Sequence, residues 1–356
     1  MPDVHMRRIR LNGSAAASPG PVFSIVPSVV MPYQTGDVEA VEKALFLRRF
    51  GIPYWGLTYV FGRNDMYWQR LVSQLGRYDL VGTTVKTPDR LPEHLLADEK
   101  HVKLNGEKAY VTTTVGRDCV LGAALALKAD APALTAAYGQ FQEEVHRLDP
   151  IYPPQTVNTD GWDPTQQAWR SLFPRIILIE CFLHAFLKIR DRCKRLKAVY
   201  AHLERQVWDA YHAADVQTFQ QQLLDLADWA TQHLTGTALE AVHKLCAKAP
   251  RFALAFDYPD AHRTSTMLDR HRQPLARCLD QARHFHGQPL SAEFQVRRWV
   301  LLHNFQPYCP RAQIHQHYLS PLHQLIAFIY HDNWLQNLLI STSLQQVRYV
   351  PQNPLE

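Results

Sequence analysis

Leu95-Leu-Ala-Asp-Glu-Lys-His-Val-Lys-Leu-Asn-Gly-Glu-Lys-Ala-Tyr-Val-Thr-Thr-Thr-Val115 decides the fold. A short apolar run ends in a carboxylate pair, Asp98 and Glu99. Asn105-Gly106 then supplies the positive φ angles of a tight hairpin. A second, β-branched run leads through Gly116-Arg-Asp into the small apolar run Val120-Leu-Gly-Ala-Ala-Leu125. The pattern predicts a three-strand meander with an acid on its first strand.

Moving outward, Ala131 to Leu148 carries Leu134, Tyr138, Phe141 and Val145 at helical spacing, and Pro150-Ile-Tyr-Pro-Pro breaks it. Thr156-Val-Asn-Thr-Asp160-Gly-Trp reads as a short strand ending in Asp160. A helix is expected over Thr165 to Leu172. Ile176-Ile-Leu-Ile-Glu-Cys is wholly apolar before its acid, the mark of a central strand. Strands, helix, strand, helix, strand make an α/β order, which calls for a mixed sheet with helices on both faces. From about Phe182 to Leu254 no strand pattern occurs, and leucine, Trp208, Phe219 and Trp229 recur at helical spacing, so this is an all-helical insertion. Helices are expected again from Met267, over Ala292 to Asn304, and over Pro321 to Tyr330.

Upstream, Val38 to Phe50 is a helical run that stops at Gly51. Pro53 opens a helix over Tyr54 to Phe61, Gly62-Arg-Asn-Asp is a turn, and Met66 to Leu75 is a third helix. This layout suits a helix-turn-helix reader of DNA, or an ordinary three-helix packing unit. In the first case Tyr67, Gln69, Arg70 and Gln74 on the third helix would contact groove and phosphate. Residues 1–36, basic and then rich in Gly, Ser, Ala and Pro, read as a mobile tail. The boundaries that follow are 37–86 for the helix-turn-helix domain, 87–181 for the first part of the core, 182–262 for the insertion and 263–356 for a C-terminal helical part of the core.

With 46% hydrophobic and 20% charged residues the chain is globular, not disordered. No apolar run approaches the roughly 20 residues of a membrane helix. The six cysteines form no Cys-x-x-Cys pair, which argues against a zinc ribbon or a disulfide scaffold and for a reducing, cytoplasmic setting. A net charge of +5 permits a nucleic-acid partner without requiring one. Lys188-Ile-Arg-Asp-Arg-Cys-Lys-Arg-Leu-Lys197 concentrates it: Lys188, Arg190, Arg192, Lys194 and Arg195 are candidate phosphate contacts, although one helix face cannot hold them all. No Gly-x-Ser-x-Gly element supports a serine nucleophile.

Asp98 and Asp160 end different strands, and two such acids can share a divalent cation. Asp160-Gly161 alone is also an ordinary turn. Cys181 and His184, as Cys181-Phe-Leu-His184, are too few ligands for structural zinc and read physically as a buried thiol and a packed imidazole. Beyond the insertion, Arg263-Thr-Ser-Thr-Met-Leu-Asp-Arg270 opens a helix.

These segments together resemble insertion-sequence transposases of the DDE superfamily, related to the Mutator-like group. The resemblance covers most of the chain from Asp37 on. Ala97-Asp-Glu-Lys-His-Val-Lys matches the family's first-acid strand, Thr159-Asp-Gly-Trp its second-acid strand, Cys181-Phe-Leu-His its Cys-x-x-His pair, and the 263–270 stretch its Thr-Asn/Ser-x-x-x-acid-Arg box. The resemblance implies a ribonuclease H-like core and catalytic acids Asp98, Asp160 and Asp269. It also implies two Mg²⁺ ions, replaceable by Mn²⁺, with His184, Cys181 and Arg270 near the active site. The partners implied are double-stranded DNA, as terminal inverted repeats and target, and a second copy of the chain, in a bacterial nucleoid. The chain departs from the pattern at the third acid, which is usually Glu. Glu293 on the next helix is the rival ligand, and loss of the third acid is the remaining alternative. The activity implied is cleavage of transposon ends followed by strand transfer. The alternatives are a catalytically inactive DNA-binding derivative, or a nuclease or resolvase without strand transfer.

Overall fold

The computed structural model describes residues 7–10, 22–25, 31, 36–193, 197–312, 319–326 and 329–345. Its centre is a five-stranded mixed sheet. Numbering strands along the chain, β1 (Arg7–Arg10) and β2 (Val22–Ile25) form a separate antiparallel pair within the stretch read as a tail. The sheet itself holds β3 (His94–Leu104), β4 (Glu107–Gly116), β5 (Cys119–Ala126), β6 (Thr156–Thr159) and β7 (Ile177–Glu180), in the spatial order β5-β4-β3-β6-β7. β3 and β4 are joined at Asn105 (φ 52°) and Gly106 (φ 88°), as the Asn-Gly pair predicts. β6 and β7 run parallel to β3 and are reached through helical crossovers. β7 stands at the sheet's edge rather than at the centre that its apolar run predicts, its apolar residues being covered by Ala255 and Ala261 beyond the insertion helices.

Each face of the sheet is covered. α5 (Ala131–Leu148) and α6 (Asp163–Leu172) pack on one face, where Leu95, Ala97, Leu121, Tyr138, Phe141 and Trp169 share a core. α5 comes so close to β5 that a Cβ on Gly122 would stand 2.8 Å from the Cβ of Phe141. The opposite face meets α12 (Thr266–Gln281) and α13 (Pro289–Phe305), with Leu96, Val102, Val120, Leu268, Leu275, Val296 and Val300 buried between them. The same core takes in α1 (Val38–Arg49), α2 (Tyr54–Phe61), α3 (Asp65–Leu75) and the C-terminal α14 (Trp334–Gln345). Asp37 and Asn64 cap α1 and α3 by accepting from Ala40 N and Tyr67 N. Pro53 and Gly62 bound α2 where the sequence predicts.

Short α4 (Leu80–Thr84) follows α3 and is capped by Asp79. The helical insertion comprises α7 (Phe182–Cys193), α8 (Lys197–Tyr211), α9 (Val216–His233), α10 (Gly236–Ala247) and α11 (Ala249–Ala253), and builds its own core around Phe182, Phe219, Leu226 and Phe252. One expected helix is not formed. Over 321–330 the described backbone makes only a 3-10 turn, Pro321–Gln324, and Tyr330 N donates instead to the side chain of Asn337. No described helix is long and apolar enough to cross a membrane.

Candidate active site

Strand register brings the two leading acids together. β3 and β6 pair in parallel with Leu96 opposite Asn158, an offset of 62 positions. Asp160 follows Asp98 by the same 62, so the first residue past β6 emerges beside Asp98. β6 pairs with β7 through Thr159 and Glu180, so Cys181 emerges on the far side of Asp160. Gly161 turns the chain away at φ +84°, and a Cβ there would meet the Glu180 carboxyl at 2.9 Å. Trp162 N donates to Asp160 Oδ1 at 2.8 Å and fixes that carboxylate at the strand end.

Adjacent strand residues face opposite sides of a sheet, which separates Asp98 from Glu99. Asp98 is 7% exposed and lies on the α12 face. Its Oδ1 accepts from Glu99 N at 2.7 Å, and its Oδ2 is ion-paired with the Arg272 guanidinium. Burial raises its carboxyl above the usual range, Arg272 and His184 pull it down, and neighbouring Asp160 pushes it up. Glu99 turns to the other face. There its Oε1 accepts from Tyr138 of α5 at 2.8 Å and from Thr165 of α6 at 2.7 Å. Burial pushes Glu99 up to about 7 despite these two donors.

The segment that returns from the insertion closes the site. Phe182 N donates to Arg263 O, and Ser265 N donates to Cys181 Sγ at 3.2 Å. Ser265 Oγ lies 3.5 Å from His184 Nδ1 and donates to Asp269 Oδ2 at 3.3 Å. Asp98, Asp160, Cys181, His184 and Asp269 are thereby linked around one end of the sheet. The Cys181 hydrogen bond raises His184 against the opposing effect of burial. Burial would raise the Cys181 thiol, but hydrogen bonding and charge from His184, with Ser265, outweigh it and hold the thiol low.

Other expected residues go elsewhere. Glu293 is 2% exposed on α13, and its Oε2 accepts from Leu125 N at 3.3 Å. That places it against β5, two strands from β3 and away from the paired acids. Arg270 reaches Asp118 in the β4–β5 turn at 3.4 Å rather than the acids. Arg272 is the arginine on Asp98. In the sequence it stands only as one of a basic series, Arg263, Arg270, Arg272, Arg277 and Arg283, suited to phosphates, although it lies three positions after Asp269 and so shares its helix face. Lys188 and Arg192 line a cavity beside Asp160, whereas exposed Arg190 pairs with Asp191 at 3.5 Å. Lys194 and Arg195 lie outside the described residues. On α3, Gln69, Arg70 and Gln74 are exposed, while Tyr67 is half-buried against Trp68 with the Arg63 guanidinium over its ring.

Among the described residues no group of three or more His, Cys, Asp or Glu is disposed to hold a metal ion. The Asp98–Asp160 pair offers oxygen donors only. That chemistry suits Mg²⁺ or Mn²⁺, and Mg²⁺ binds through as few as one or two carboxylates while keeping several waters. No protein-family model and no curated protein matches this chain.

Proposed function

We propose that this chain is a divalent-metal-dependent DNA strand transferase of the DDE transposase type, built on a ribonuclease H-like core. One observation carries the reading: the β3–β6 register sets Asp98 beside Asp160, and Ser265 ties Asp269 to Cys181 at the end of neighbouring β7. In order of appearance the sheet strands lie third, second, first, fourth, fifth, with the second antiparallel, which supports a ribonuclease H-like core. Divalent ions at such a pair supply Lewis acidity to a phosphodiester and to its attacking oxygen. The remaining roles belong to the chain itself. Glu99 N and Trp162 N hold the two carboxylates in place. His184, which keeps its proton more firmly than a free imidazole, faces both acids and could donate to a phosphate oxygen. Lys188 and Arg192 supply positive charge beside Asp160 for the DNA backbone. α1 to α3, with Gln69, Arg70 and Gln74 outward, are the proposed reader of the element's terminal repeats, and joining two ends implies at least a dimer on DNA.

The test is strand cleavage and joining on end DNA in Mg²⁺ or Mn²⁺. Wild type should cut and join, while Asp98→Asn and Asp160→Asn should bind the DNA and do neither. A second reading, a DNA-binding derivative without catalysis, is favoured by the Arg272 guanidinium that occupies Asp98 Oδ2. Wild type that binds ends but never cuts in either metal would establish it. Cleavage without joining would instead indicate a nuclease.

A further inference from the structure

Between the sheet and the insertion lies a cavity of about 390 Å³ that shares Asp160 and Cys181 with the candidate active site. Its walls come from the end of β7, from α7 and from α10 and α11. Ala185 of α7 with Ala241 and Leu245 of α10 make the apolar part of the lining. Five cations line the rest: Lys188 and Arg192 one turn apart on α7, then Lys244, Lys248 and Arg251. Against them stand two carboxylates. Glu180, 2% exposed, is matched by Lys248 at 2.5 Å and by Arg251, which hold its carboxyl low against the effect of burial. Lys188, Arg192 and Lys244 make no ion pair among the described residues. Ala185 shares a face of α7 with Lys188 and Arg192, and Ala241 and Leu245 share one of α10 with Lys244, so small apolar side chains and unmatched cations alternate along both walls, with Asp160 also in the lining.

A volume of this size falls within the range of small-ligand sites, and such sites combine an apolar body with a few placed charges. An inorganic anion would leave the alanine and leucine wall bare. A neutral apolar ligand would leave three cations unmatched. A phosphorylated nucleoside satisfies both, with its base on the apolar residues and its phosphate on the cations. We propose that the cavity holds one unpaired nucleotide of the DNA strand, its base against Ala185, Ala241 and Leu245 and its phosphate on Lys188, Arg192 and Lys244. The proposal rests on the functional reading above and extends it: the insertion would grip the strand one nucleotide from the phosphodiester at Asp160. Aromatic stacking is not needed, because the cations and the exclusion of water from the small side chains supply the attraction.

The experiment uses the full chain in EDTA, so that no cleavage can occur. Calorimetric titration with dAMP, deoxyadenosine and inorganic phosphate is followed by competition with a single-stranded hexadeoxyadenylate and with a blunt duplex. dAMP should bind at least tenfold more tightly than phosphate or nucleoside, and the single strand should displace it while the duplex does not. Lys188→Glu with Lys244→Glu, both exposed side chains, should weaken dAMP and the single strand at least tenfold. Ala185→Phe, which fills the space without changing charge, should weaken dAMP tenfold and leave phosphate unchanged. Thermal melting verifies that each variant is folded. Binding of dAMP that ignores Ala185→Phe, or that is no tighter than phosphate, overturns the cavity. Binding of dAMP that the single strand cannot displace overturns the strand as its source and leaves a free nucleotide. A chain that binds dAMP as described yet never cuts DNA in Mg²⁺ keeps the cavity and loses the transferase reading, so the two can fail separately.

Discussion

At the scale of residues, one methylene and one strand step separate very different roles. Asp269 and Glu293 are both candidates for the third acid by sequence, since both sit near helix starts after the insertion. Asp269 hangs on Ser265 at the strand ends, whereas the Glu293 carboxylate satisfies a backbone N–H of β5. Glu293→Ala should therefore destabilise the fold by roughly 1–3 kcal/mol, the usual cost of orphaning a buried donor, read as a lower urea midpoint. Asp269→Ala should leave that midpoint nearly unchanged while abolishing metal-dependent cleavage. The reverse pattern would return Glu293 to the site. Glu99 makes a second residue-scale prediction. Its folded carboxyl titrates near 7, above the unfolded value of about 4.5, so the folded protein holds the extra proton between those limits. Stability from this group is present below pH 4.5 and falls as pH rises through 7. A glutamine side chain in its place cannot ionise, but its carbonyl can still accept from Tyr138 and Thr165. Glu99→Gln should thus melt higher than wild type at pH 8 and gain little at pH 4.5. Asp79, pushed up to about 8 by burial and by Glu144, adds a slope of the same sign to both proteins, so the difference between them isolates Glu99. Equal melting curves across the range would remove the claim. Asp160 was legible because an Asp-Gly turn leaves a local mark, whereas Asp98, expected at a strand end, lies midway along β3 and owes its place to where β6 stops beside it. Arg272 and Glu180 were not legible, because their roles depend on which helix returns to which strand.

At the scale of elements, local chemistry was readable and long-range support was not. Asn105-Gly106 announced the first hairpin, and Pro53 with Gly62 announced both ends of α2. α4 went unread as a helix. It has five residues, includes Gly82, and owes its N-terminus to a partner far along the chain. Glu144 of α5 accepts from Leu80 N at 2.6 Å and Val81 N at 3.0 Å, and it is ion-paired with Arg297 of α13. Arg297, 1% exposed, also donates to Tyr78 O at 2.9 Å and to Gly76 O at 3.3 Å. The neighbouring Asp79 caps α4 through Gly82 N and pairs with Arg147 at 2.5 Å. One arginine thus fastens three helices across the edge of the sheet. Arg297→Met strands a buried carboxylate beside a second one and should cost about 3–5 kcal/mol in urea unfolding. Adding Glu144→Gln removes the stranded charge yet keeps an acceptor for Leu80 and Val81, so the double variant should regain part of the loss. A double variant as unstable as the sum of the single changes would mean that the two side chains act independently.

At the scale of the whole molecule, the buried apolar residues fall into separate clusters, and their borders decide what can unfold alone. α1 to α3 share their core with α12, α13, α14 and one face of the sheet, so the N-terminal helices are fastened to the sheet they precede. No single-sequence pattern shows that sharing, because each helix displays an apolar face without naming its partner. The insertion is different. Its helical spacing was legible, and the structure gives it a core of buried residues from Phe182 to Phe252, with Phe256 packed against it. It meets the sheet through the Glu180 ion pairs with Lys248 and Arg251, through Asn158 Nδ2 donating to His262 O, through the rings of His94 and Tyr258, and through a small apolar cluster of Ile179, Ala255 and Ala261. A unit with its own core and a thin border can open without the rest. Phe219, fully buried between the rings of Phe182 at 6.3 Å and Phe256 at 5.4 Å, lies at its centre. Phe219→Ala should cost that unit about 3–5 kcal/mol. Native-state hydrogen exchange should then show amides of α8, α9 and α10 losing more than roughly a hundredfold in protection while those of β3, β4 and β5 keep theirs. If the sheet amides lose protection in step, the insertion and sheet unfold together, and the border at Glu180 is stronger than its few contacts imply. If they do not, the insertion unfolds as a unit of its own while Asp98 and Asp160 stay in register on β3 and β6.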